Sequence, residues 1–204
     1  CCRAVTSDNV YIATDNKKIS ELVVKKGFQV INTRSDLLTG TDRVAEASKN
    51  LNYEIFINVQ GDEPLIDHRD ILRAIDLKKQ YPESIINSYC YIEENENPYN
   101  KNIPKVATTE NNDLIYISRS VIPQSKKDLK NYAFKKQVCI YAYSKSDLNK
   151  FLCYGRKSEL EKIEDIEILR FFELEIPIKM VLVSKSSIAV DIKTDIKKVE
   201  KVLR

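Results

Sequence analysis

Tryptophan is absent from this 204-residue chain, histidine occurs once, and no apolar run approaches the eighteen residues that a membrane-spanning helix requires. No membrane span is therefore expected. The missing tryptophan, beside abundant Lys, Ile and Asn, reports a low-GC genome more than a function. The one histidine, His68, follows Pro64 in a polar stretch and reads as a surface residue rather than a base. The five cysteines, Cys1, Cys2, Cys90, Cys139 and Cys153, have no metal-ligand spacing, and an odd number cannot all pair. They fit a reducing, cytoplasmic setting in which isolated thiols pack as small apolar groups. Charge of one sign is lacking too: 33 basic against 30 acidic residues leave a net +3. The lysines are spread among acids, which suits a solvated surface and not a nucleic-acid footprint. The opening Cys1-Cys2-Arg3-Ala4-Val5 does not read as a signal peptide, and the residues given hold no repeat or low-complexity tract. A chain of this length is expected to be one domain, or one domain with a small appendage, with a substantial core.

Apolar periodicity orders the elements. Strands are expected over 10–13, 28–31, 54–59, 85–91, 105–108, 113–118, 137–143 and 177–183, with a further apolar segment at 188–191. Helices are expected over 17–26, ending at Gly27, over 42–49 with Thr41 as N-cap, and over 68–80, 145–152, 158–173 and 194–203. The strands at 105–108 and 113–118 form a hairpin around Asn111-Asn112-Asp113, and 122–136 is an exposed excursion. Strands alternating with helices predict an α/β domain with a parallel sheet.

Three groups of residues carry chemistry. In Val59-Gln60-Gly61-Asp62-Glu63-Pro64 a buried strand ends on a small residue and then an acid. Ligands of open α/β sheets bind beyond such strand ends. Gly61 permits close approach, and Asp62 offers a hard oxygen suited to Mg²⁺ and through it to phosphate. Asp191 ends the late run Ala189-Val190, and Asp15 ends the first strand, so both are candidates for the same edge. Two carboxylates there would repel unless a cation lies between them. In Thr39-Gly40-Thr41-Asp42-Arg43 the start of a helix offers free N–H groups and a dipole to an anion or a polar base edge, with Arg43 in the first turn. In the 158–173 helix, Glu167 falls between Ile163 and Leu160/Phe171, with Glu164 close by; these acids either stay wet at a cleft rim or are functional.

These segments, followed by Ile117-Ser118-Arg119-Ser120-Val121-Ile122-Pro123, Ile140-Tyr141-Ala142-Tyr143, Leu160-Glu161-x-Ile163-Glu164-x-x-Glu167-x-Leu169-Arg170 and Val190-Asp191, stand in one order over essentially the whole chain. In that order the chain resembles the 3-deoxy-manno-octulosonate cytidylyltransferase (CMP-Kdo synthetase) family. The resemblance implies a three-layer α/β/α domain spanning 1–204, with a mostly parallel Rossmann-like sheet of the nucleotide-diphospho-sugar transferase type. It implies transfer of CMP from CTP to a 3-deoxy-2-ulosonic acid, Kdo or a modified Kdo, for lipopolysaccharide or capsule. Asp62 and Asp191 would be the catalytic, Mg²⁺-holding pair. Thr39, Gly40, Thr41, Arg43 and Asp15 would face the nucleotide, and Gln60, Arg119, Gln137, Tyr143 and Glu167 the sugar. A homodimer is implied, built partly by a 119–160 excursion. A cytidylyltransferase for a sialic-acid-like sugar and a non-catalytic relative keeping the fold remain alternatives.

Three departures from the family's pattern set further expectations. Its first strand and Ser/Arg/Lys phosphate loop would precede Cys1, so these 204 residues are expected to bind CTP poorly. Gln137-Val138-Cys139 stands for His-x-Gly, and Ile168 stands for a glutamine. Glutamine cannot carry a proton charge near neutrality, and both changes fall on the sugar side, which predicts a modified acceptor.

Overall fold

The computed structural model describes residues 1–6, 8–94, 96–126, 132–184, 190 and 193–202, the side chains of residues 194 and 198 excepted. Eight strands lie within these residues: β1 (Tyr11–Thr14), β2 (Gln29–Asn32), β3 (Ile55–Val59), β4 (Ile85–Tyr91), β5 (Lys105–Thr108), β6 (Leu114–Ser118), β7 (Lys135–Ser144) and β8 (Ile178–Leu182). The helices are α1 (Cys2–Val5), α2 (Lys17–Lys25), α3 (Gly40–Ser48), α4 (His68–Gln80), α5 (Lys145–Cys153), α6 (Glu159–Glu164), α7 (Arg170–Glu173) and α8 (Lys193–Val202).

β1 and β2 pair in parallel as a separate ladder. The other six strands form one sheet in the order β6-β5-β7-β4-β8, with β3 also on β7. β3, β4 and β5 are each antiparallel to β7, and β8 is parallel to β4. Four strands therefore run one way and β6 and β7 the other, the mostly parallel sheet that was expected. Alternation along the strands sorts side chains to two faces. Ile85 and Tyr89 of β4 with Tyr141 and Tyr143 of β7 join Leu148, Phe151, Leu169 and Phe171 in one buried cluster. Ile86, Cys90, Ile140 and Ala142 join Ile71 and Ala74 of α4 in a second. Helices thus cover both faces, giving three layers.

The 119–160 stretch expected to project contains β7 and α5, which lie in the body of the domain. β7 is the central strand, and Leu148 and Phe151 of α5 are fully buried. Of the 122–136 excursion, residues 127–131 lie outside the described residues, as do most of 188–191 and residue 203 of the last helix.

Two local expectations are corrected. The N-cap of α3 is Thr39, not Thr41: Thr39 is extended (φ −150, ψ 170) and its side chain accepts from Asp42 N, while Thr41 is already helical. The single helix over 158–173 is broken. Ser158 opens α6 with a reciprocal capping box to Glu161, and Asp165 closes it in the left-handed conformation (φ 51, ψ 50). A 3-10 turn over Glu167–Leu169 then leads into α7. Asp is among the few residues that enter that region at low cost, and the break undoes the 100° spacing behind the apolar stripe. Ile163, placed in that stripe by sequence, is 72% exposed. The β5–β6 turn does form at Asn112 (φ 62), whose side chain accepts from the Tyr89 hydroxyl at 2.9 Å.

Candidate active site

Asp15 and Asp62 lie beyond the carboxyl ends of β1 and β3, and Thr39, Gly40, Thr41 and Arg43 at the start of α3. At the ends of β1 and β2, the Arg43 guanidinium lies 3.3 Å from Asp15 and donates to the Thr33 hydroxyl and the Arg34 carbonyl. Arg43 and Asp15 are therefore ion-pair partners.

The start of α3 is held from two sides. Beneath it, Arg170 is fully buried. Its Nη1 donates to Asp42 Oδ1 at 2.8 Å and its Nη2 to Glu161 Oε1 at 2.6 Å, and its Cζ lies 3.8 Å from the centroid of the Phe151 ring. Asp42 Oδ2 also accepts from the Thr39 hydroxyl at 2.7 Å. Above it, the Glu167 carboxylate accepts from Gly40 N at 3.1 Å and Thr41 N at 2.7 Å. A Cβ placed on Gly40 would stand 3.4 Å from Glu167 Oε1 and 4.0 Å from Gln60 Nε2, so Gln60 shares this corner. Tyr143, also fully buried, has a hydroxyl beside Thr41 and Asn58 that has no hydrogen-bond partner among the described residues. Burial, reinforced by the Glu167 charge, pushes that phenol well above its ordinary pKa. Gly40, Thr41, Gln60, Tyr143 and Glu167 thus form one cluster.

Gln137 reaches the same neighbourhood through Tyr141. Its Nε2 donates to Asn87 Oδ1 at 2.9 Å and contacts the Tyr141 hydroxyl at 3.2 Å. Arg119 stands apart from these groups in its bonding. It donates from Nε to the Glu164 carbonyl, from Nη1 to the Lys101 carbonyl and from Nη2 to the Asp165 carbonyl. Glu164, which is half-buried, is latched to the end of β6. It accepts from the Ser118 hydroxyl at 2.6 Å and from Arg119 N at 2.8 Å.

Asp62 is exposed beyond β3, and its carboxylate has no hydrogen bond or ion pair among the described residues. Asp191 lies outside the described residues, but the preceding residue is tied to Asp62: Val190 N donates to the Asp62 carbonyl at 2.8 Å. Among the described residues no three acids, histidines or cysteines converge as metal ligands. A magnesium held by one or two carboxylates plus substrate phosphates needs no such triplet, and the uncompensated Asp62 fits that role.

Sequence reasoning missed Glu63, which is 8% exposed and accepts from Cys139 N at 2.8 Å. Burial holds its carboxyl above the usual range, with the Asp62 charge adding to the rise. The native state therefore keeps this proton at pH values where the unfolded chain, near an ordinary Glu pKa of about 4.3, has lost it. The contribution to stability is full in acid and is lost as pH rises through the native pKa. Glu63→Gln keeps an acceptor for Cys139 N and removes the ionisation. Urea midpoints taken from acid to neutral pH should show the variant gaining on the wild type as pH rises; parallel profiles would refute the assignment.

Polar clusters at the strand ends of a three-layer α/β domain, around a helix start that carries Gly, Thr and Arg, define a nucleotidyltransferase. Comparison with known proteins makes this specific. The chain belongs to the cytidylyltransferase family, whose model matches residues 2–180. It is 34% identical over 96% of its length to the 3-deoxy-manno-octulosonate cytidylyltransferase of Christiangramia forsetii, covering 80% of that protein. It is 37% identical over 96% of its length to the enzyme of that name from Thermodesulfovibrio yellowstonii, covering 82%. The solved structure of CMP:2-keto-3-deoxy-manno-octonic acid synthetase complexed with CTP superimposes with a TM-score of 0.86 at 30% identity, over 95% of this chain and 80% of that one. The fold alone is shared with 4-diphosphocytidyl-2C-methyl-D-erythritol synthase from Anaerococcus prevotii, at 15% identity and a TM-score of 0.61 over 99% of this chain and 84% of that one.

Proposed function

We propose that this enzyme joins CTP to Kdo, giving CMP-Kdo and pyrophosphate for lipopolysaccharide or capsule synthesis. The observation that supports this most is the superposition on the CTP-bound synthetase, with 30% identity spread over nearly the whole chain. In the reaction, the anomeric oxygen of the sugar bonds to the α-phosphorus while the bond from that phosphorus to the pyrophosphate oxygen breaks. The hydroxyl proton leaves to solvent. Such transfers need positioning and charge neutralisation more than covalent help.

The parts of the site divide accordingly. Thr39, Gly40, Thr41, Arg43 and Asp15 face the nucleotide. Gln60, Gln137, Tyr143, Glu167 and Arg119 face the sugar. Arg119 can exchange its carbonyl partners for the sugar carboxylate, because a two-pronged charge-assisted pair is stronger than bonds to neutral carbonyls. Asp62 with Asp191 would hold Mg²⁺, which when bound offsets phosphate charge. The five cysteines are free, which supports a reducing cytoplasm as the working compartment. A homodimer is part of the same reading.

Pyrophosphate release tests it, with CTP against UTP and Kdo against its amino analogue and a sialic acid. Release should require CTP and a 3-deoxy-octulosonate. Release with the sialic acid alone would move the enzyme to the neighbouring class of CMP-sugar synthetases, and release with UTP as well as CTP would remove the cytidylyl assignment.

A further inference from the structure

Sequence placed Glu167 on the sugar side, yet its carboxylate bonds to the nucleotide segment. We infer that Glu167 is a positioning residue for the nucleotide, acting through the main chain of Gly40 and Thr41; this rests on the cytidylyltransferase reading above.

The first N–H groups of any helix lack partners within it. In α3, the Thr39 side chain accepts from Asp42 N, and the first intrahelical bond runs from Arg43 N to the Thr39 carbonyl. Gly40 N and Thr41 N remain, and each is taken by one oxygen of Glu167, at 3.1 and 2.7 Å. The partner comes from 127 and 126 residues away in the chain. It can reach because Asp165, left-handed, ends α6 and starts a new turn at Glu167. The carboxylate therefore fixes the conformation of the turn that carries Thr39, Gly40, Thr41 and, one step on, Arg43. Its negative charge at this helix start also shuts out a phosphate from the dipole and leaves the turn to an uncharged or donor-bearing part of the nucleotide. Gln60 and the unpartnered Tyr143 hydroxyl border the same point, so one side chain meets both halves of the site.

Glu167→Gln is the incisive change, because a neutral amide offers one acceptor oxygen to two N–H groups. Loss of a charged hydrogen bond of this kind corresponds to about 10- to 100-fold. CTP dissociation constants, measured by calorimetry without sugar, should weaken by about tenfold or more in Glu167→Gln. Glu167→Asp, which keeps the charge on a shorter stem, should recover part of the loss. Urea midpoints are recorded alongside. Unchanged CTP affinity with only the KM for Kdo raised would overturn the inference in favour of a purely sugar-facing role. Lower stability with both constants unchanged would overturn it in favour of a plain helix cap. Weak wild-type binding, as expected of these 204 residues, suffices for the comparison; no wild-type binding at all removes the proposed CTP reaction and this inference with it, and wild-type binding with an indifferent variant sinks the inference alone.

Discussion

Arg170→Met should lower folding stability by about 3–5 kcal/mol, because it strands two carboxylates in the core. The three partners are almost completely removed from water, with side-chain exposures of 0% for Arg170, 4% for Asp42 and 1% for Glu161. The guanidinium meets both acids through four hydrogen bonds and lies over the Phe151 ring, so no water can replace it without opening the core. In a chain of this size the loss corresponds to a fall in Tm on the order of 10 °C. Replacing all three residues with apolar ones of similar volume should recover most of it, since the cost arises from unpaired charge and not from missing attraction. Differential scanning calorimetry of the single and triple variants distinguishes the two. A single variant within 1 kcal/mol of wild type, as on an ordinary surface site, would show that the buried triad does not carry α3.

That triad marks the limit of what the chain discloses before folding. Element type was readable because apolar spacing is a local property: α4 and β4 fall on the expected residues, and the Asn112 turn sits where three polar residues interrupt two strands. The strand-end location of Asp15 and Asp62 was readable for the same reason. The partnership of Asp42 with Arg170 was not, since it joins positions 128 residues apart and depends on how α3 meets α7. The capping box Ser158-x-x-Glu161 was a visible signal for the start of α6. The end of α6 was not visible, because a left-handed Asp165 leaves no trace in an apolar period. Once that turn was missed, Glu164 and Glu167 were placed on one stripe. In the folded chain they hold different segments: Glu164 latches the end of β6, and Glu167 the start of α3. Buried Glu63 was overlooked because it stands beside Asp62, the acid that the strand-end pattern singles out.

Asp62→Asn should leave folding intact and reduce turnover about a thousandfold. The first half follows from the environment. The carboxylate is exposed and has no ion pair or hydrogen bond among the described residues, while the contact to Val190 runs through the main-chain carbonyl and survives the change. Stability should therefore move by no more than about 0.5 kcal/mol. The second half follows from charge. A triphosphate attacked by a hydroxyl gathers negative charge, and a cation held by this side chain, as proposed, would be worth several kcal/mol in that transition state, which is about three decades in rate. An amide oxygen is a weaker ligand for a hard cation than a carboxylate, so half-saturating Mg²⁺ should also rise in the variant. Pyrophosphate release followed over a Mg²⁺ titration reads both quantities at once. Turnover within tenfold of wild type, with an unshifted Mg²⁺ dependence, would remove Asp62 from the metal site and leave the strand-end acid as a solvated turn.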